Sequence, residues 1–122
     1  MPASETDIDR MARLCAERGL PEVSRSTSYG APSLKVRTKS FASVRGPGEM
    51  VLHCPIEQKE LLMEMAPDIY WQTDHFKGWP GLLVRLDRIT DEELGLRLED
   101  AWMFRAPKRL QQAHAAGPSP TA

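Results

Sequence analysis

Two turn sequences, Tyr29-Gly30-Ala31-Pro32 and Arg45-Gly46-Pro47-Gly48, constrain this chain more than any other feature. Glycine admits the left-handed backbone of tight reversals and proline interrupts regular pairing, so each stretch reads as a turn between strands. The segments around them predict strands near Arg25–Ser28, Leu34–Thr38, Phe41–Arg45 and Met50–His53. Strands joined so closely pair antiparallel, because a parallel return needs a crossover of a dozen or more residues.

Helical patterns flank this β-rich stretch. A first helix is predicted from about Asp7 to Arg18, capped by Thr6, with Ile8, Met11, Ala12 and Cys15 on one stripe. Gly19 and Pro21 stop it. A second, roughly Ile56 to Met65, starts near Pro55, turns Leu61, Leu62 and Met65 inward, and ends before Pro67. Ile69–Thr73 and Leu82–Leu86 read as two more strands. Thr90 and Glu93 form a capping-box pattern that opens a last helix, with Leu94, Leu98, Ala101, Trp102 and Arg105 inward and Pro107 closing the domain. Strands come in runs rather than alternating with helices. The class is therefore α+β, an antiparallel sheet of five to six strands carrying three helices in the order α-β(3–4)-α-β-β-α. Residues 1–110 are expected to form one domain, and the Gln/Ala/Pro-rich residues 111–122 a disordered tail.

Charge is unevenly placed. The chain of 122 residues has 16 Lys and Arg against 17 Asp and Glu, a net charge of −1. Between Val23 and Gly48, however, Arg25, Lys35, Arg37, Lys39 and Arg45 meet no acidic residue, which leaves −6 on the remainder. Lys35, Arg37 and Lys39 alternate with Leu34, Val36 and Thr38, so a single strand here would aim three cations outward from one face. Such a face suits a polyanion. The overall balance limits any such binding to a local, modest effect, since dedicated DNA binders carry a global excess of Lys and Arg. No stretch approaches the roughly 20 apolar residues of a membrane span. The acidic N-terminus lacks an apolar signal core, so a cytoplasmic protein without membrane contact is expected. Cys15 and Cys54 then read as free, buried thiols.

The most unusual local stretch is Asp74-His75-Phe76-Lys77-Gly78-Trp79-Pro80. Phe76 or Trp79 could stack on a ring while His75 and Lys77 meet phosphate. Alternatively, Trp79 covers the edge of the core with His75 and Lys77 solvated around it. Catalysis by His75 with Asp74 is geometrically poor, because adjacent residues of an extended chain point to opposite faces. His53, Cys54, His75 and His114 have no metal-ligand spacing, and Gly46-Pro47-Gly48 is a turn rather than a phosphate cradle, so neither metal nor cofactor is expected. The cluster Asp91-Glu92-Glu93 decorates a helix N-terminus, and Glu99 and Asp100 read as the solvated face of the same helix.

Several stretches together resemble the MmcQ/YjbR family of small bacterial proteins. They are Tyr29-Gly30-Ala31-Pro32 followed by Lys39-Ser40-Phe41-Ala42, then Pro67-Asp68-Ile69, then His75-Phe76-Lys77-Gly78-Trp79 leading into Leu82–Leu86. The last runs from Leu94 through Trp102 to Ala106-Pro107-Lys108-Arg109-Leu110. The resemblance covers nearly the whole chain to about Leu110, and its specificity lies in order and spacing. It implies a frataxin/CyaY-like α+β arrangement, DNA binding through a double wing of hairpins, and no established enzymatic activity. Lys77 and Trp79 stand where the family loop carries a Lys and a Trp. Gly78 and Pro80 depart from that pattern, and Pro80, lacking a ladder donor, moves the following strand to Gly81 or later.

The resulting expectation is a non-enzymatic DNA-binding protein, weak and largely sequence-independent, with phosphate contacts from Arg25, Lys35, Arg37, Lys39 and Arg45 and a second contact point at Lys77 and Trp79. A monomer is slightly favoured. The alternative is a small-molecule- or protein-binding module built on His75, Phe76, Lys77 and Trp79. A concave apolar pocket beside Trp79 favours the second, a convex continuous positive face the first.

Overall fold

The computed structural model describes residues 5–115. One antiparallel sheet of six strands runs in the order β1-β2-β3-β4-β6-β5, with β1 at Val23–Ser28, β2 at Ala31–Val36, β3 at Lys39–Gly46, β4 at Glu49–His53, β5 at Tyr70–Trp71 and β6 at Gly81–Arg85. The first four strands are a meander, as the turn sequences dictate. Tyr29 and Gly30 both take positive φ, the combination that lets a two-residue hairpin follow the strand twist. Pro47 and Gly48 close the β3–β4 hairpin, with Gly48 at φ 76°.

Side chains alternate across this sheet, interrupted by register shifts between Leu34 and Lys35 and between Val44 and Gly46. Leu34, Ala42, Leu52 and Leu82 are cross-strand neighbours on one face, with Met50, Val84 and Tyr70 in the next row. Helices α1 (Asp7–Glu17) and α3 (Asp91–Arg105) pack on this face and on each other, and all of these side chains are buried. Thr6 caps α1 with a full capping box, and Met11, Leu14 and Cys15 go into the core. Arg10 ties α1 to the chain after β6, donating to the Leu86 and Ile89 carbonyls at 2.7 and 2.8 Å and pairing with Asp91. Trp102, with no exposure, donates its indole N–H to the Pro21 carbonyl at 3.0 Å. Cys15 and Cys54 are free and buried, and burial pushes their thiols up to about 12 and about 11.

Five expectations need correction. Helix α2 (Ile56–Met65) has the expected bounds, but Leu61 and Met65 face outward and the helix buries Leu62 and Lys59 instead. Thr90 caps α3, yet the reciprocal half of its box is absent because the Glu93 carboxylate accepts from the Tyr70 hydroxyl. The strand expected over Ile69–Thr73 pairs only through Tyr70 and Trp71. A fourth helix, α4 (Lys108–Ala115), follows Pro107 and extends into the segment read as disordered tail. The Glu99 carboxylate is held between Arg18 and His114 rather than solvated, and the His114 ring stands edge-on to Trp102. Residues 116–122 lie outside the described residues.

Candidate functional site

The five cations of the acid-free segment do not share a face. A two-residue turn at Arg37 and Thr38 ends β2 where a single continuous strand was expected, so Val36 pairs with Lys39 across it. Arg37 sits in that turn at φ 56° and its guanidinium binds the Glu22 carboxylate at 2.8 Å. Arg25 lies opposite Leu34, on the helix side, and pairs with Asp9 of α1 at 2.8 Å. Arg45 pairs with Glu49 at 3.2 Å. Glu22 and Glu49 lie just outside the segment, and Asp9 comes from α1. Lys35 and Lys39 form no ion pair among the described residues. Lys77 pairs with Asp74 at 3.1 Å, an exposed contact.

The sheet face opposite the helices is concave instead. Ser33, Ser43, Val51, Leu83 and Trp71 form one row across it. A cleft of about 1090 Å³ opens here, floored by Ser40, Ser43, Val51 and His53, with Ala31, Pro32, Arg45 and Pro47 toward the hairpin turns. Thr73, His75, Phe76 and Trp79 of the β5–β6 loop line the other side. Their rings form a chain: His75 to Phe76 at 5.5 Å, Phe76 to Trp79 at 5.5 Å, and Trp79 to His53 at 4.9 Å, each edge to face. No acidic side chain lines the cleft.

Three residues support this wall. His53 and Gly81 are cross-strand partners, and the Trp79 ring folds back over Gly81 to reach His53. A Cβ on Gly81 would stand 2.0 Å from the Trp79 ring. From below, Lys59 reaches out of α2 at 2% exposure and donates to the carbonyls of Phe76 and Trp79, both at 2.7 Å. A buried ammonium is costly unless it is hydrogen-bonded, and these carbonyls repay that cost. Burial draws its pKa below the ordinary lysine value. Gly81 N–H donates to the same Trp79 carbonyl at 2.8 Å, closing a tight turn around Pro80 before β6 begins at Gly81.

His53 is the perturbed group of the cleft. Burial, helped by the Arg105 charge, pulls its imidazole from the ordinary 6.5 down to about 4, so the ring is neutral at pH 7. As pH falls below 6.5 the unfolded chain takes up a proton that the folded ring refuses until about pH 4. Stability attributable to His53 is therefore lost across that window and levels off below it. His53→Phe is expected to flatten the wild-type decline between pH 6.5 and 4 by about 2 kcal/mol in urea unfolding, a value discounted for solvent screening. An unchanged slope would contradict the assignment.

The Asp74 carboxylate pairs with Lys77, and among the described residues it forms no hydrogen bond with His75. Among the described residues no group of three His, Cys, Asp or Glu side chains gathers to hold a metal ion, and no helix is long and apolar enough to cross a membrane. Sequence reasoning found the aromatic loop but missed Lys59, His53 and Gly81 as its supports. The one local signal was the Trp79-Pro80-Gly81 run, where a glycine follows a large ring at a strand start.

The fold matches the crystal structure of Deinococcus radiodurans protein DR2400, which carries the domain DUF419, with a TM-score of 0.67 over 92% of this chain and 86% of that one, at 22% identity. Uncharacterized protein Rv2570 of Mycobacterium tuberculosis and uncharacterized protein Mb2600 of Mycobacterium bovis are each 41% identical over 58 residues, 48% of this chain. The match spans 45% of the length of these curated relatives. The YjbR family model matches residues 18–104, from the end of α1 to the last turn of α3 and including the whole sheet and the aromatic loop, and the chain belongs to the YjbR family.

Proposed function

We propose that this protein is a non-enzymatic binding module that takes a small, largely apolar ligand in the concave sheet face. One observation carries the reading: an acid-free cleft of about 1090 Å³ along whose side four aromatic rings stand edge to face. Ligand sites are concave, mostly apolar and built from few polar groups, and this cleft has that composition. The catalytic alternative lacks support, since Asp74 is committed to Lys77 and burial keeps the Cys54 thiol protonated. Weak binding of duplex DNA through the hairpins has less support than the cleft, because Arg25, Arg37 and Arg45 are each answered by a carboxylate. Titration with the neutral probe 2-naphthamide, followed by amide chemical shifts, tests the reading. Saturable shifts at Ser43, Val51 and His53 are expected, with affinity reduced on the order of 10-fold in Trp79→Ala for the loss of one aromatic contact. No saturable shift, or equal affinity in the variant, would overturn it.

A further inference from the structure

The charges nearest the cleft are unbalanced. Ser40, on its floor, is the cross-strand partner of Lys35, and its carbonyl accepts from Arg105 Nε at 3.0 Å. Neither Lys35 nor Arg105 has a carboxylate partner among the described residues. Arg45, the one charged residue in the lining, is already paired with Glu49. Two cations without a carboxylate partner thus stand behind the lining at the Ser40–His53 end, Lys35 as the cross-strand partner of Ser40 and Arg105 through the Ser40 carbonyl. The aromatic chain leads away from that end through Trp79 and Phe76. A guanidinium that spends one N–H on a backbone carbonyl keeps others for a planar anion, and a carboxylate is the group it fits best.

Resting on the cleft as a binding site, we propose that its ligand class is a small aromatic carboxylate, with the ring against Trp79 and Phe76 and the carboxylate at Ser40 between Lys35 and Arg105. The neutral His53 ring has no hydrogen-bond partner within the described residues and offers one more donor at that end. An amine in the same place would meet two like charges and no acid. A neutral ligand would leave both cations unanswered.

A matched series on the full chain tests this: 2-naphthoate, 2-naphthamide and 2-naphthylmethylamine, titrated at low salt by isothermal calorimetry. The carboxylate is expected to bind on the order of 10-fold tighter than the amide, as one hydrogen bond to charged groups supplies, and the amine more weakly than either. Arg105→Gln is expected to erase most of that gap, read as the ratio of carboxylate to amide affinity within the same variant. Lys35→Gln, which touches no packing of α3, is expected to narrow the gap independently. Equal affinity for carboxylate and amide, or a gap that persists in both variants, overturns the carboxylate assignment and leaves the cleft reading standing. Failure of all three ligands to bind overturns both.

Discussion

Lys59→Met is expected to lower the free energy of unfolding by about 3 kcal/mol, the effect of withdrawing a charged donor from two buried acceptors. Methionine keeps the length and apolar stem of lysine, so the change isolates the ammonium. The carbonyls of Phe76 and Trp79, each 2.7 Å from Nζ, would lose that donor. Because they belong to the loop that walls the cleft, the same variant is expected to lose 2-naphthamide binding before it loses its fold. Chemical denaturation with the probe titration separates the two effects. Wild-type stability in the variant would mean that the loop is held by its own turns and that Lys59 is incidental.

Gly81→Ala is expected to cost about 2 kcal/mol, a large effect for one methyl group on a strand. Its cause is local and directional: the new carbon would stand 2.0 Å from Trp79 Cζ3, so the ring must leave its seat over β6. Removing the ring should therefore remove the penalty. In the double-mutant cycle Trp79→Ala and Gly81→Ala are expected to couple by roughly 1–2 kcal/mol, with the double variant more stable than the sum of the single losses predicts. Additive losses would show that Gly81 matters for its backbone and not for the seat it gives the indole.

The sequence made the meander legible because turn chemistry is local. Gly30 and Gly48 readily take the left-handed backbone and Pro47 presets its own φ, and the strands between them follow. Helix α1 was equally plain, since cap, stripe and stop coincide. Elements governed by tertiary partners were not. In α2 the residues Lys59, Leu61, Leu62 and Met65 give no clean period, and only the carbonyls of a loop some twenty residues onward explain why lysine is inside and Met65 outside. The basic segment misled for a related reason. Alternation from Leu34 to Thr38 is compatible with one strand or with a strand and a turn, and periodicity does not register the reversal at Arg37. Nor can a run of cations announce partners that lie elsewhere in the chain, as Asp9 does for Arg25. The aromatic loop was recognisable by composition. The cleft it completes was not, because its floor comes from β3 and β4 and its remaining edge from the hairpin turns.

The function proposed here puts the working surface of this YjbR protein on the concave sheet face and not on its cationic hairpins. Amide chemical-shift mapping of one sample at physiological salt, first with 2-naphthoate and then with a short DNA duplex, tests it most directly. Saturable shifts clustered at Ser40, Ser43, Val51, His53 and Trp79 are expected with the naphthoate, and no clustered response to the duplex. Duplex-induced shifts centred on Lys35, Arg37 and Lys39, with a cleft silent to the naphthoate, would contradict it.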